Sequence, residues 1–116
     1  MNCAVSDHVV CLITAPSKEA AEKIALALVD QKLAACCSII PGVTSIYTWE
    51  GKTEKGEEAQ IIAKTRSELF PQLMAAVKAL HSYQVPEIIL LPITAGLPAY
   101  LDWIDQSVKK ALPLSS

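Results

Sequence analysis

Imidazole, thiol, phenol and carboxylate groups are where chemistry would be carried, and one turn of this chain gathers three of the four. His81-Ser82-Tyr83-Gln84-Val85-Pro86-Glu87 sets a histidine, a tyrosine and a glutamate within a short stretch of otherwise apolar sequence. That mixture suits a borderline divalent ion such as Cu²⁺ or Zn²⁺, or a small organic ligand. It also reads as an ordinary helix end, where the dipole favours a histidine and a proline opens the next strand. Elsewhere, Cys11 lies in the first apolar run, and Cys36 and Cys37 are adjacent. Tyr47 and Trp49 offer aromatic surface two residues apart, and Lys64 supplies a cation.

Several chemistries are disfavoured by what these groups lack. His8 and His81 are the two histidines, and neither GxSxG nor HExxH occurs, so no nucleophile and base are paired and no enzyme is expected. The loop after the first strand, Thr14-Ala15-Pro16-Ser17, holds no thiol to grip a soft ion. The runs VVCLITA and EEAQIIAK carry no aromatic residue on which a nucleic-acid base would stack. The single arginine, Arg66, is far from the first loop, where a phosphate would need it. Ten basic and twelve acidic residues give a formal charge of −2, with Lys109-Lys110 the one adjacent basic pair, so nucleic acid is not an expected partner. No basic residue precedes the first apolar run, which has the length of a strand. Neither a signal peptide nor a membrane span is expected. The four cysteines show no CxxC spacing and suit thiols in a reducing cytoplasm.

These groups need elements to position them. Residues Leu33 to Thr65 read as one long β-hairpin, reversing through the polar tip Glu50 to Glu57. Pro41-Gly42 calls for a bulge in its first arm, because proline lacks the ladder donor and glycine weakens pairing. Beyond the bulge Val43, Ser45, Tyr47 and Trp49 share one face, and Thr44, Ile46, Thr48 and Glu50 the other. A lone two-stranded ribbon is marginal in water, so its outer half is expected to pack on another subunit.

Around the hairpin, His8 to Ala15 reads as a strand buried on both faces. Ser17 caps a helix from Lys18 to about Lys32, with Ala21, Ile24, Ala25 and Leu28 as its apolar stripe. Ser67 caps a second helix, with Pro71 in its first turn and Leu69, Leu73, Val77 and Leu80 inward. Glu87 to Ile93 is a further buried strand. A last helix runs from near Pro98 to Pro113 on a stripe of Leu97, Leu101, Ile104 and Val108, with Asp102 and Asp105 early and Lys109-Lys110 late. The fold class is therefore α+β: a ferredoxin-like βαββαβ order with an extra C-terminal helix and a long hairpin between the second and third strands. One domain accounts for residues 1–116, with its core from about 8 to 108. A composition 52% hydrophobic leaves apolar surface for oligomer contacts.

Several motifs in order resemble those of the CutA family of divalent-cation-tolerance proteins. They are Lys32-Leu33-Ala34-Ala35-Cys36, Pro41-Gly42-Val43-Thr44-Ser45-Ile46-Tyr47, Trp49-Glu50-Gly51-Lys52, Lys64-Thr65, His81 with Tyr83 and Val85-Pro86-Glu87, and Tyr100-Leu101-Asp102-Trp103. The resemblance implies a cytoplasmic homotrimer held by the hairpin, similar in fold to PII signalling proteins, with a link to copper and other divalent cations. The metal candidates are then His81, Glu87 and Cys11, with Cu²⁺ or another divalent cation held weakly and no organic cofactor. The copper-linked bacterial member has a cysteine and two histidines at positions that are Ile13, Leu80 and His81 here, so His81 alone matches. Ser82 stands where the family usually has proline. The alternative function is a PII-like sensor or interaction module, with an intersubunit pocket of Tyr47, Trp49, Lys64, His81, Tyr83 and Glu87.

Overall fold

Ser17 caps the first helix in the way its sequence position predicts, its hydroxyl accepting from the Ala20 amide at 3.1 Å. The computed structural model describes residues 7–110. It runs β1 (His8–Ala15), α1 (Lys18–Asp30), β2 (Cys36–Trp49), β3 (Lys52–Arg66), a 3-10 turn (Ser67–Leu69), α2 (Phe70–Leu80), β4 (Ile88–Pro92) and α3 (Pro98–Ser107). The strands form one antiparallel sheet in the order β2-β3-β1-β4, the expected split arrangement.

One face of the sheet is packed by α1 and α2. Cys11, Ile13 and Ala15 of β1 and Ala59, Ile61 and Ala63 of β3 meet Ala21, Ile24 and Leu28 of α1 and Leu69, Leu73 and Val77 near α2. Residues of the opposite parity, Val10, Leu12 and Ile62, are half-buried, and β4 leaves Ile89 and Leu91 exposed. Within a single chain the expectation of strands buried on both faces is therefore not met, because α1 and α2 both lie on one side. Leu80 and Leu97, assigned inward from their spacing, are exposed as well.

The segment after α1 explains the Lys32-Leu33-Ala34-Ala35 motif. Lys32 takes the left-handed conformation, φ 58°, while its amide donates to Val29 and the Leu33 amide donates to Leu28 at 2.9 Å. This is a Schellman end, and it buries Leu33 beside Leu28. Thr65 Oγ1 then donates to the Leu33 carbonyl at 2.7 Å inside the core, so the Lys64-Thr65 motif fastens β3 to that end.

The hairpin spans nearly the expected residues, but its ladder runs further toward the tip than the polar composition suggests. Its reversal is only Glu50-Gly51, at φ 52° and 78°, the two positive values of a tight hairpin turn. Lys52 to Glu57, read as tip, are ladder residues of β3, because ladder bonds come from the backbone and a solvated ribbon accepts alternating charges. The bulge is where Pro41-Gly42 calls for it: the register shifts between Ile40 and Val43, with Gly42 at φ 70°.

Two helix boundaries differ from the sequence reading. Ser67 is not a cap; its amide donates to Asp7, and a 3-10 turn precedes α2, which has Pro71 in its first turn. The last helix stops at Ser107, so Asp105 lies in its final turn and Lys109-Lys110 beyond its end. The part of that reading beyond Lys110, and Cys3, the first of the four cysteines, lie outside the described residues.

Asp105 instead anchors α3 to the sheet. It accepts from Arg66 of β3 and from His8 Nε2 of β1 at 2.9 Å, and Arg66 Nε also donates to Glu68 at 3.1 Å. The Arg66 hydrogen bond holds the Asp105 carboxyl below its usual range, burial opposing and His8 adding. Burial works against the Arg66 charge, but Asp105 and Glu68 outweigh it and raise its affinity for the proton. With the folded value depressed, the anchor stabilises the chain above the unfolded aspartate value of about 3.9 and is lost as pH falls through the folded value. Asp105→Asn is thus expected to unfold at a lower temperature than wild type at neutral pH, with the gap closing in acid. A gap that persisted at pH 2 would remove the carboxylate from this role.

Candidate functional site

The 81–87 turn leaves the C-terminus of α2 and crosses the end of β1. There His81 Nε2 donates to the Thr14 carbonyl at 2.5 Å, and Nδ1 accepts from the Tyr83 amide at 3.1 Å. Since Thr14 offers only an acceptor and the Tyr83 amide only a donor, the ring is neutral and carries its proton on Nε2. Its ring centroid is 4.7 Å from that of Tyr83, with the planes tilted by 50°. Tyr83 Oη donates in turn to Glu58 Oε2 of β3 at 3.0 Å. Burial, then the hydrogen bond and charge of Glu58, then Tyr47, push the Tyr83 phenol up to about 12, so it remains a donor at neutral pH.

Of the six residues expected around a pocket, one chain brings three together. His81 and Tyr83 are in contact, and the Tyr47 hydroxyl reaches the ladder beside Gly56, next to Glu58. Trp49 is at the far end of the ribbon. Lys64 pairs with Cys36 at its base, six residues from Glu58 and so about 20 Å along the strand. There Lys64 Nζ donates to Ser38 Oγ at 3.2 Å and lies 4.0 Å from Cys36 Sγ. Glu87 is exposed before β4, and among the described residues no hydrogen bond or ion pair joins it to His81. A cleft of about 260 Å³ does adjoin His81, lined by Pro16, Glu19, Ala20, Lys23, Leu80 and Ser82, none of them in the expected pocket.

The donors available do not fit a resident divalent cation. Cys11 is wholly buried in the core, and burial, with the Cys37 thiol adding, pushes it up to about 12, far from the thiolate a metal needs. Ile13, at the position of the expected cysteine ligand, is wholly buried too. Among the described residues no three His, Cys, Asp or Glu side chains are grouped to hold an ion. Cys37 is likewise raised to about 12 by burial first, then by Cys36, with Lys64 opposing.

Sequence reasoning missed Glu58, the acceptor linking the turn to the ribbon, and Thr14, whose backbone holds the imidazole. Glu58 carried a usable signal, since it lies on the same ribbon face as Tyr47, across the bulge from Val43. Thr14 carried none, because a backbone carbonyl has no residue type.

Comparison with known proteins agrees with the fold and its motifs. A family model described as CutA1 divalent ion tolerance protein matches residues 9–107. The "Divalent-cation tolerance protein CutA" of Thermus thermophilus is 51% identical over 98 residues, covering 84% of this chain and 95% of that protein. "Protein CutA, chloroplastic" of Arabidopsis thaliana is 46% identical over 101 residues, which are 87% of this chain and 56% of the plant protein. Among solved structures, CutA1 from Oryza sativa superposes with a TM-score of 0.89 at 42% identity, covering 92% of this chain and 98% of that one.

Proposed function

The chain belongs to the CutA1 family of divalent ion tolerance proteins, and from that premise we propose that it serves the response to divalent cations as a non-enzymatic cytoplasmic homotrimer. The observation that carries this is the ribbon: Ile46, Tyr47 and Trp49 are 70%, 47% and 53% exposed in a single chain. An isolated two-stranded ribbon is only marginally stable in water, and one with such side chains on both faces gains from a partner that covers them. The sheet face that α1 and α2 leave open adds Ile89 and Leu91, 48% and 46% exposed. On that face Gln60 Nε2 is buried without an acceptor among the described residues, a donor that a neighbouring chain would satisfy. A closed ring of three, each ribbon laid on the next chain's sheet, covers these surfaces and the open edges of β2 and β4.

The imidazole that general-base catalysis would use has both nitrogens engaged, which supports a role without catalysis. Free Cys11, Cys36 and Cys37 suit a reducing compartment. Cu²⁺ is met weakly, with a Kd on the order of micromolar or poorer, worth at most about 8 kcal/mol. Light scattering at micromolar concentration is expected to give the mass of three chains, and a stable monomer would end the proposal.

The second reading, a PII-like sensor with a pocket between subunits, draws on the contact of Tyr83 with Glu58 on the ribbon beside Tyr47. Titration calorimetry of the reduced protein with Cu²⁺, Zn²⁺ and a panel of anionic metabolites separates the two. Binding of a metabolite far tighter than either metal would favour the sensor.

A further inference from the structure

We propose that His81 is a latch and not a copper ligand: a neutral imidazole that seats the 81–87 turn on the end of β1 and aims Tyr83 at the ribbon. The inference concerns one chain and stands whether or not three chains assemble. A metal needs a nitrogen lone pair, and the ring has only one, since Nε2 carries the proton it donates to Thr14. A ring N–H held by a backbone carbonyl is also how many ligating histidines are oriented, so the decision falls on Nδ1. That lone pair accepts from the Tyr83 amide at 3.1 Å, two residues along the same turn. The Tyr83 ring, at 4.7 Å, lies against the imidazole.

To bind a cation, His81 must give up the Tyr83 amide, or swap tautomers and also leave the Thr14 carbonyl without its donor. Glu19 lines the same cleft, but with the imidazole it makes only two donors, too few to repay that loss. The neighbouring positions that would supply further donors are Leu80, a hydrocarbon, and Ile13, wholly buried in the core. No third acidic, histidine or cysteine side chain completes a group with it among the described residues.

The bonds that exclude the metal also link three elements. From α2 the turn is fastened to β1 by His81 and to β3 by Tyr83, whose hydroxyl reaches Glu58 at 3.0 Å. His81 is thus a positioning residue for the ribbon at Glu58, where it extends past the end of β1.

The test is nitrogen-15 NMR of the histidine side chains in the intact, reduced protein, with and without Cu²⁺. The expected spectrum shows His81 as the Nε2–H tautomer, and substoichiometric Cu²⁺ broadens its ring no more than that of His8, the internal control. His81→Ala is expected to lower the unfolding midpoint by about 5 °C and to return the Tyr83 phenol toward its ordinary value of about 10. His81→Gln, which keeps a donor near Thr14, should recover part of both. Neither variant should change Cu²⁺ affinity more than twofold. Selective broadening of His81, an Nδ1–H tautomer, or a tenfold loss of Cu²⁺ affinity in His81→Gln would each overturn the latch. Should His81→Ala fail to fold, the wild-type spectrum and His81→Gln still decide.

Discussion

Replacing Ile46 and Trp49 together by aspartate is expected to turn the proposed assembly of three chains into single chains at micromolar concentration, without unfolding them. The two side chains lie on opposite faces of the ribbon and are exposed in the single chain, so folding of the subunit gains little from either. In the assembly each is worth about 2 kcal/mol of burial, roughly 4 per chain. In a ring of three every substitution acts three times, which makes about 12 kcal/mol before the cost of burying aspartate is counted. That weakens three-chain association by more than eight orders of magnitude at about 1.4 kcal/mol per tenfold. Light scattering should give one chain's mass for the double variant, while far-UV circular dichroism keeps the wild-type shape. A double variant that remained trimeric would take the ribbon out of the interface, and one that lost its secondary structure would make the ribbon part of the subunit's own stability.

Local features of the fold were legible because they are decided by short-range physics. The Ser17 cap, the bulge at Pro41-Gly42 and the α1 stripe each follow from one residue type or one period, and the structure has them there. Features decided by partners far along the chain were not legible. Ser67 looks like a cap until Asp7 takes its amide, and Asp105 looks like an N-terminal acid until the helix ends two residues later and Arg66 claims it. The two faces of β1 and β4 could not be told apart, since continuous apolar runs are also what a face awaiting a partner requires.

For the site the same division holds. Spacing picked out His81 and Tyr83 as neighbours, but not what the imidazole does, because its acceptor is a carbonyl 67 positions away. Lys64 is the cation of the expected intersubunit pocket, and within one chain the ladder puts it at the base of the ribbon beside Cys36. Its neighbour Thr65 has the clearer task, a buried bond to Leu33 that joins two motifs with no visible relation in sequence.

Ile61→Ala is expected to cost the subunit about 4 kcal/mol, within the span seen when a buried isoleucine is cut back to alanine. Ile61 is wholly buried in the middle of β3, with Ile13 of β1 and Ile39 of β2 as its ladder partners. The sheet cannot close over the missing methyls, because both neighbouring strands are held at fixed spacing by backbone bonds. A cavity should therefore remain, and the loss should lie near the upper end of the range rather than the lower. Against a typical domain stability of about 5–15 kcal/mol this is a large share. Denaturant titrations in the dissociated Ile46→Asp, Trp49→Asp background keep assembly out of the measurement, and the midpoint should fall with the slope unchanged. A loss below about 1 kcal/mol would mean that the strands do close over the gap, and that α1 and α2 grip the sheet less tightly than the wholly buried Ile13, Leu28 and Leu73 imply.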